Sequence, residues 1–501
     1  MGNWISGTNT NSASNDEFGF EQNFYVDLHN KKNKKRGWEV DDKESESSHF
    51  VDIKRKKLKT TSQFIYNALF LNGESSDVTI KAFDHEWNLH KVYLRQAGYF
   101  SGMFNGDWKE STMNEVHLQI PDEKIDKEAL HITFGSLYTD EVIILPGQVI
   151  SVLAAASLLQ LESLMQQCSE VMVSAICCDN VYHFYNEARL YGQVDVEKAC
   201  ISWLENNLML QSNNYKLLEE IDPVLMSRIV SSKDIFVLQV EMDLYIMLKK
   251  WLYLKLTSNI DDLSKPDQNA NTIATKYFRE RQKDTGEIFL ISSEGEPFKE
   301  AFQGVHICNI MRDFGCCLEL EKDGIVPDFW ILPLFRECWL AMLRVEQGID
   351  RGPNKSSGID DRSLRCGRIL HRDMDYCWRW NGYNFGLDLL VTYSSQEPKA
   401  LLLKRNFQSQ RKAGSVGLGA QRKINFQIKV FSLNSKGQIL NMFSTGCSSL
   451  SLEKDEERVA LTIHNEDSSR KLEFPLLISA TFQVLSDHDM NNSYTISPVF
   501  R

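Results

Sequence analysis

Several clusters in this chain carry side chains able to do chemistry, and their spacing decides which chemistry is open to them. His85, Glu86 and His90 read as H-E-x-x-x-H. A zinc protease needs its two histidines four apart, on one helix face. Here they are five apart, on a stretch that suits a strand and turn, so no metal role follows. Cys366, His371 and Cys377 follow C-x4-H-x5-C, which matches no paired knuckle and lacks an evident fourth ligand. Core thiols are the expectation there. Cys177-Cys178 and Cys316-Cys317 are neighbours on helical stretches, where adjacent side chains point apart. Gly414, Gly417 and Gly419 reverse the spacing of a dinucleotide loop and fall between strands, where a turn is expected. No phosphate loop ending in Lys-Ser/Thr, no nucleophile elbow and no titratable cluster is evident. The reading is of a protein that is not an enzyme, with no catalytic residues, no metal and no cofactor.

Binding chemistry is better represented. Trp378, Arg379, Trp380 and Tyr383, with Phe385 close by, combine the residue types that dominate interaction hot spots. They read either as a substrate-recognition surface or as packing between strands. Trp108 and Glu110 set an indole and a carboxylate two positions apart, an anchor and a charge for a partner pocket. Gly2 followed by Ser6 fits the N-myristoylation pattern. One acyl chain holds a membrane only weakly and needs a second signal. The basic runs Lys31–Arg36 and Lys54–Lys59 could supply it, or act as nuclear-import addresses, with Lys54, Arg55, Lys56 and Lys57 at the core of the second. A plain solvated tail is the third reading of this polar stretch.

The elements that must position these groups fall into three regions. At 501 residues the chain is too long for one core. A net charge of −12 argues against direct nucleic-acid binding. Eleven scattered cysteines suit reduced thiols rather than a disulfide framework. No run is long enough to span a membrane, and the polar start suggests no secretory signal. After a tail over 1–59, Thr60–Leu71 reads as a helix with Phe64, Leu69 and Phe70 apolar. Asp77–Ile80 reads as a strand, Val116, Leu118 and Ile120 alternate as another, and Asp126 is placed to cap a helix carrying Leu130, Phe134 and Leu137. Glu141–Ile144 reads as a further strand. From Val149 to Leu256 apolar residues recur at helical spacing: Val149, Val152, Leu153 and Ala156, later Val194, Ala199 and Trp203, then Leu238, Met242, Tyr245, Leu248 and Trp251. Ser258–Asn271 reads as a linker, and helical patterning resumes over Ile288–Arg344. Beyond Gly348–Arg362, Ile424–Val430, Val459–Ile463 and Ile478–Val484 alternate as strands of an antiparallel sandwich.

The motifs SDVTI, LHKVYL, GYFSGMF, WKES and LYTDEV together resemble a BTB (POZ) domain. The resemblance implies a mixed sheet with a helical cluster, a homodimer with Phe64 and Asp77 at its interface, and a cullin contact through Trp108, Glu110 and Tyr138. Asp234–Leu252 resembles the end of a BACK domain, the helical module that follows BTB in ubiquitin-ligase adaptors. With the block Leu364–Tyr393, the WL-x-MLRVEQ segment and Leu450–Glu457, nearly the whole chain from Lys54 is similar to the germ cell-less family. The expected fold is therefore multidomain α+β: a BTB domain over 60–173, BACK-like helices over 174–290, a helical connector over 291–350 and a β-rich domain over 360–501. The resemblance implies a substrate adaptor of a cullin-3 ubiquitin ligase, in a germ-cell or nuclear-envelope setting. A nuclear-envelope or transcription-regulating scaffold without ligase role is the alternative.

Overall fold

The computed structural model describes residues 61–105, 113–264, 269–310, 314–346, 363–381, 388–406, 421–453, 455–463 and 473–485. All of them lie in one compact unit, Lys59–Arg501. It opens with a short helix α1 (Thr61–Ile65) that runs on as a π-helical turn, Tyr66–Leu71. Strands β1 (Val78–Ala82) and β2 (His85–Leu89) form a hairpin. Phe83 and Asp84 between them both have positive φ, 50° and 55°. That is the turn whose twist matches a two-residue hairpin. Strand β3 (Glu115–His117) joins β1 in parallel, Ile80 opposite Val116, so the sheet is mixed, as expected. Helices α2 (Lys91–Leu94), α3 (Gly98–Phe104) and α4 (Lys127–Gly135) cover it. Asp126 caps α4 as its position predicts, its carboxylate accepting from Ala129 N at 2.7 Å. Gly135 lets α4 approach the first helix closely: a Cβ there would sit 3.0 Å from Phe70 and 3.2 Å from Tyr66. Glu141–Ile144 departs from expectation. It forms no strand, and Ile143 is 85% exposed.

Helices α5 (Val149–Leu159), α6 (Glu162–Ala175), α7 (Val181–Leu190), α8 (Val194–Asn207), α9 (Tyr215–Glu220) and α10 (Pro223–Val230) follow. The face Val149, Val152, Leu153 and Ala156 is fully buried, whereas Val194, read as part of an inner face, is exposed at the start of its helix. Helix α11 (Glu241–Thr257) is surrounded on all sides, so its expected stripe is one part of a wholly interior helix. It begins seven residues later than the pattern suggested. Ahead of it, Gln239 makes a β-bridge to Gly367. Two lysines are interior with it. Lys249 Nζ lies 2.6 Å from Asp323 Oδ2, which also accepts from the Tyr245 hydroxyl at 3.1 Å. Lys250 donates to the Ser212 carbonyl and Asn213 Oδ1, both at 3.0 Å. The stretch read as a linker holds a helical turn, Ile260–Leu263, and the start of α12 (Ala270–Thr285). Asn259 and Asn269 cap them, a local signal strong enough to order a polar stretch. Helices α13 (Phe314–Asp323) and α14 (Asp328–Glu346) complete the region. One continuous hydrophobic cluster links Phe70 to Ile331 through these helices.

The last third is a sandwich of two antiparallel sheets. Strands β4 (Leu364–Leu370), β5 (Tyr376–Asn381), β6 (Asp388–Ser394), β7 (Lys399–Arg405), β8 (Gln421–Leu433), β9 (Ile439–Ser444), β10 (Ser448–Glu453), β11 (Glu457–Ile463) and β12 (Leu476–Leu485) build it. The orders are β10-β8-β12-β4, with β9 beside β8, and β11-β7-β6-β5. Ile424, Phe426, Ile428 and Val430 lie beside Ile478, Ala480 and Phe482 on the inner face of one sheet, and Leu389, Val391, Leu401 and Leu403 of the other sheet complete the core. Several contacts besides the Gln239–Gly367 bridge hold it to the helices. Arg365 on β4 reaches Glu241 through Nε–Oε1 at 2.5 Å and Nη2–Oε2 at 3.0 Å, and donates to the carbonyls of Val230 and Gly304. The pair is buried, and removing one partner of such a pair costs about 3–5 kcal/mol. In the turn before β9, the Lys436 and Gly437 carbonyls accept from Trp203 Nε1 and Asn207 Nδ2, each at 2.8 Å.

Candidate partner-binding site

The first helix and α4 frame an open groove of about 790 Å³. Gln63, Tyr66 and Asn67 line one wall, and Ile132, Ser136 and Val142 the other. Tyr66 and Gly135 form its floor, and an aromatic stack backs it from inside: Tyr66 and Phe70 rings lie 5.1 Å apart, Phe70 and Tyr138 5.3 Å, Tyr138 and Tyr93 4.3 Å. Around the rim the chain exposes large apolar side chains. Phe64 is 60% exposed, and Leu71, Ile143 and Leu145 are exposed too. Leaving these in water costs roughly 1.5–3 kcal/mol per side chain relative to burial.

The site residues expected from the sequence divide sharply. Phe64 is exposed on the first helix. Asp77 has a local job: its carboxylate accepts from Lys91 N at 2.7 Å and caps α2. Tyr138 is corrected. Its ring is buried, and its hydroxyl accepts from His90 N at 2.9 Å, so it presents no surface to a cullin. Burial pushes that hydroxyl's pKa well up. Trp378 and Trp380 are corrected as well. Both turn into the sandwich core, Trp380 5.7 Å from Phe482, while Cys377 and Arg379 point outward. Strand alternation puts the two indoles on one side, and the core claims that side. Trp108 and Glu110, Tyr383, Gly2, and Lys54, Arg55, Lys56 and Lys57 lie outside the described residues. The segment holding Trp108 joins α3 to β3. Phe104 is buried on one side of it and Met113 is exposed on the other.

Sequence reasoning missed Ile143 and Leu145, because EVII reads as a strand and therefore as buried. It also missed His131. Trp87 Nε1 donates to His131 Nδ1 at 3.3 Å, and burial, then His85, then Lys127 hold this imidazole's pKa below the ordinary value. Among the described residues no group of His, Cys, Asp or Glu is arranged to hold a metal ion, and no helix is long and apolar enough to cross a membrane.

Comparison with known proteins meets this geometry at the same place. The BTB/POZ domain model matches residues 66–176, which include the groove's floor and its far wall. Germ cell-less protein-like 1 of Homo sapiens is 43% identical over 441 residues, 87% of this chain and 84% of the relative. The chain belongs to the germ cell-less family. Protein germ cell-less of Drosophila melanogaster is 34% identical over 460 residues, 86% of this chain and 78% of its own. The Kelch repeat and BTB domain-containing protein 1 of cowpox virus is 26% identical over 191 residues, 38% of this chain and 32% of its own. In this germ cell-less chain, then, most of the groove falls within the BTB match.

Proposed function

We propose that this germ cell-less protein is a non-enzymatic adaptor. Its BTB domain, 60–173, pairs with a second copy and docks cullin-3, and its C-terminal domain, 360–501, recruits a protein substrate for ubiquitination. The BACK-like helices, 174–290, and the connector, 291–350, set the distance between the two. The observation that carries the reading is a BTB domain whose first-helix groove keeps Phe64, Leu71, Ile143 and Leu145 in water. Such a rim fits a second copy, because a two-fold pair buries the same residues on both sides. Cullin docking rests on Trp108 and Glu110 between α3 and β3. An adaptor needs no bond-making groups; it raises the concentration of substrate lysines near the charged enzyme.

The test is Glu110→Lys in the full chain. Cullin-3 is expected to stop co-purifying while sedimentation still reports the dimer. Undiminished co-purification would instead favour a nuclear-envelope or transcription scaffold that uses BTB for assembly alone. The setting we propose is the nucleus and its envelope, in germ-cell formation, reached through Lys54–Lys57. Gly2 adds a lipid contact to the membrane periphery. Gly2→Ala is expected to move a membrane-associated fraction into the soluble nuclear pool, and an unchanged distribution in cell fractionation would remove the lipid from the account.

A further inference from the structure

Helix α14 carries an apolar face that the rest of the described residues do not cover. Its inner side is anchored: Ile331 is buried, and Trp330, Leu334 and Phe335 pack on the helical cluster. Its outer side exposes Phe329 by 59%, Leu332 by 61%, Trp339 by 60% and Leu340 by 40%. The spacing 329, 332, 336, 339/340, 343 is the three-four alternation of a helix seam, with half-buried Leu343 at its end. Together these side chains present on the order of 450 Å² of apolar surface, within the size range in which a monomer's largest patch is often functional.

At the middle of the seam stands Arg336, exposed, with apolar residues a turn before and a turn after it. That one charge selects the occupant. A second copy of α14, laid on the seam in full overlap either parallel or antiparallel, would set Arg336 against Arg336. An anionic lipid surface is opposed by Asp328 at the start of the same exposed arc and by the chain's net charge of −12. A helix with an apolar stripe and a carboxylate at its centre satisfies both the seam and the guanidinium.

We propose that the outer face of α14 is a docking site for an amphipathic helix of another protein, one bearing a glutamate or aspartate midway along its apolar stripe. The proposal uses no BTB residue and stands apart from the cullin reading. The area is below the roughly 800 Å² per partner of a standard interface, so the contact is a transient one.

The probe is a designed, fluorescein-labelled helical peptide with leucines at seam spacing and one central glutamate. Its control has lysine at that position. Anisotropy titration with the full chain is expected to give a Kd on the order of tens of micromolar for the glutamate peptide, and binding about tenfold weaker for the lysine peptide. Arg336→Glu is expected to reverse that preference, and Trp339→Ala and Leu332→Ala each to weaken binding about tenfold, a loss of roughly 1.4 kcal/mol. All three positions are exposed, so the variants keep the fold, which circular dichroism checks. Equal binding of the two peptides, or none, overturns the proposal. So does self-association in sedimentation velocity that Trp339→Glu abolishes, since a second copy would then be the occupant. Trp339-dependent co-sedimentation with anionic vesicles would likewise overturn it, in favour of a membrane.

Discussion

His131 shows how one side chain ties the groove to its support. Its Nδ1 accepts from Trp87, so the proton must sit on Nε2, and a second proton would break that bond. Its pKa is depressed in the fold, by burial first. For a base this means that the stability it contributes is fully present above the unfolded value of about 6.5 and is lost as pH falls through the folded value. Thermal melts of the full chain between neutral and mildly acidic pH should show the BTB region weakening on acidification, and His131→Gln should flatten that slope. An unchanged slope would mean that other groups carry the pH response. The interior lysine Lys249 is a different case. Its Nζ contacts Asp323 at 2.6 Å with both side chains out of solvent, and so joins α11 to α13.

At the level of elements, the sandwich is fastened by a turn as well as by strands. Gly437 has φ of +80°, and a Cβ there would lie 2.6 Å from Asn207 Oδ1 and 2.8 Å from Trp203 Nε1. Trp203 Nε1 is a donor in the helix–turn contact, and the other donor, Asn207 Nδ2, belongs to the same amide as that oxygen. Gly437→Ala is expected to cost about 2 kcal/mol or more, from the left-handed backbone and the displaced contacts together. Chemical denaturation measures the loss, and a near-neutral result would show that the turn is not a fastening.

The elements also show what could be read from the sequence and what could not. Asp126 as a cap and the alternation in β8 and β12 were legible, because local rules and the tertiary structure agree there. The start of α11 was not, since Asp234–Val240 has the apolar content of a helix but spends its backbone on a bridge to Gly367. Trp378 and Trp380 were legible as a same-face pair. Which face is the core depends on a second sheet far away in the chain. Tyr138 was misassigned for the same reason: its partner His90 is distant in sequence. Ile143 was expected to be buried in a strand; the chain there pairs with no strand among the described residues, and its apolar run stays exposed.

At the scale of the whole molecule, a continuous packed path through the described residues connects the groove to the sandwich. A single buried cluster runs from Phe70 to Ile331, and Arg365 with Glu241 locks β4 to α11. In the adaptor role proposed for this chain, the separation between ligase arm and substrate sets the effective concentration of lysines. The measurement that bears most directly on the account is titration calorimetry of purified cullin-3 into the full chain and into Trp108→Ala. The account predicts a Kd of about 1 micromolar or tighter for the first and at least tenfold weaker binding for the second, with the dimer intact in both. No heat of binding with the unaltered chain, or equal affinity for the two, would contradict it.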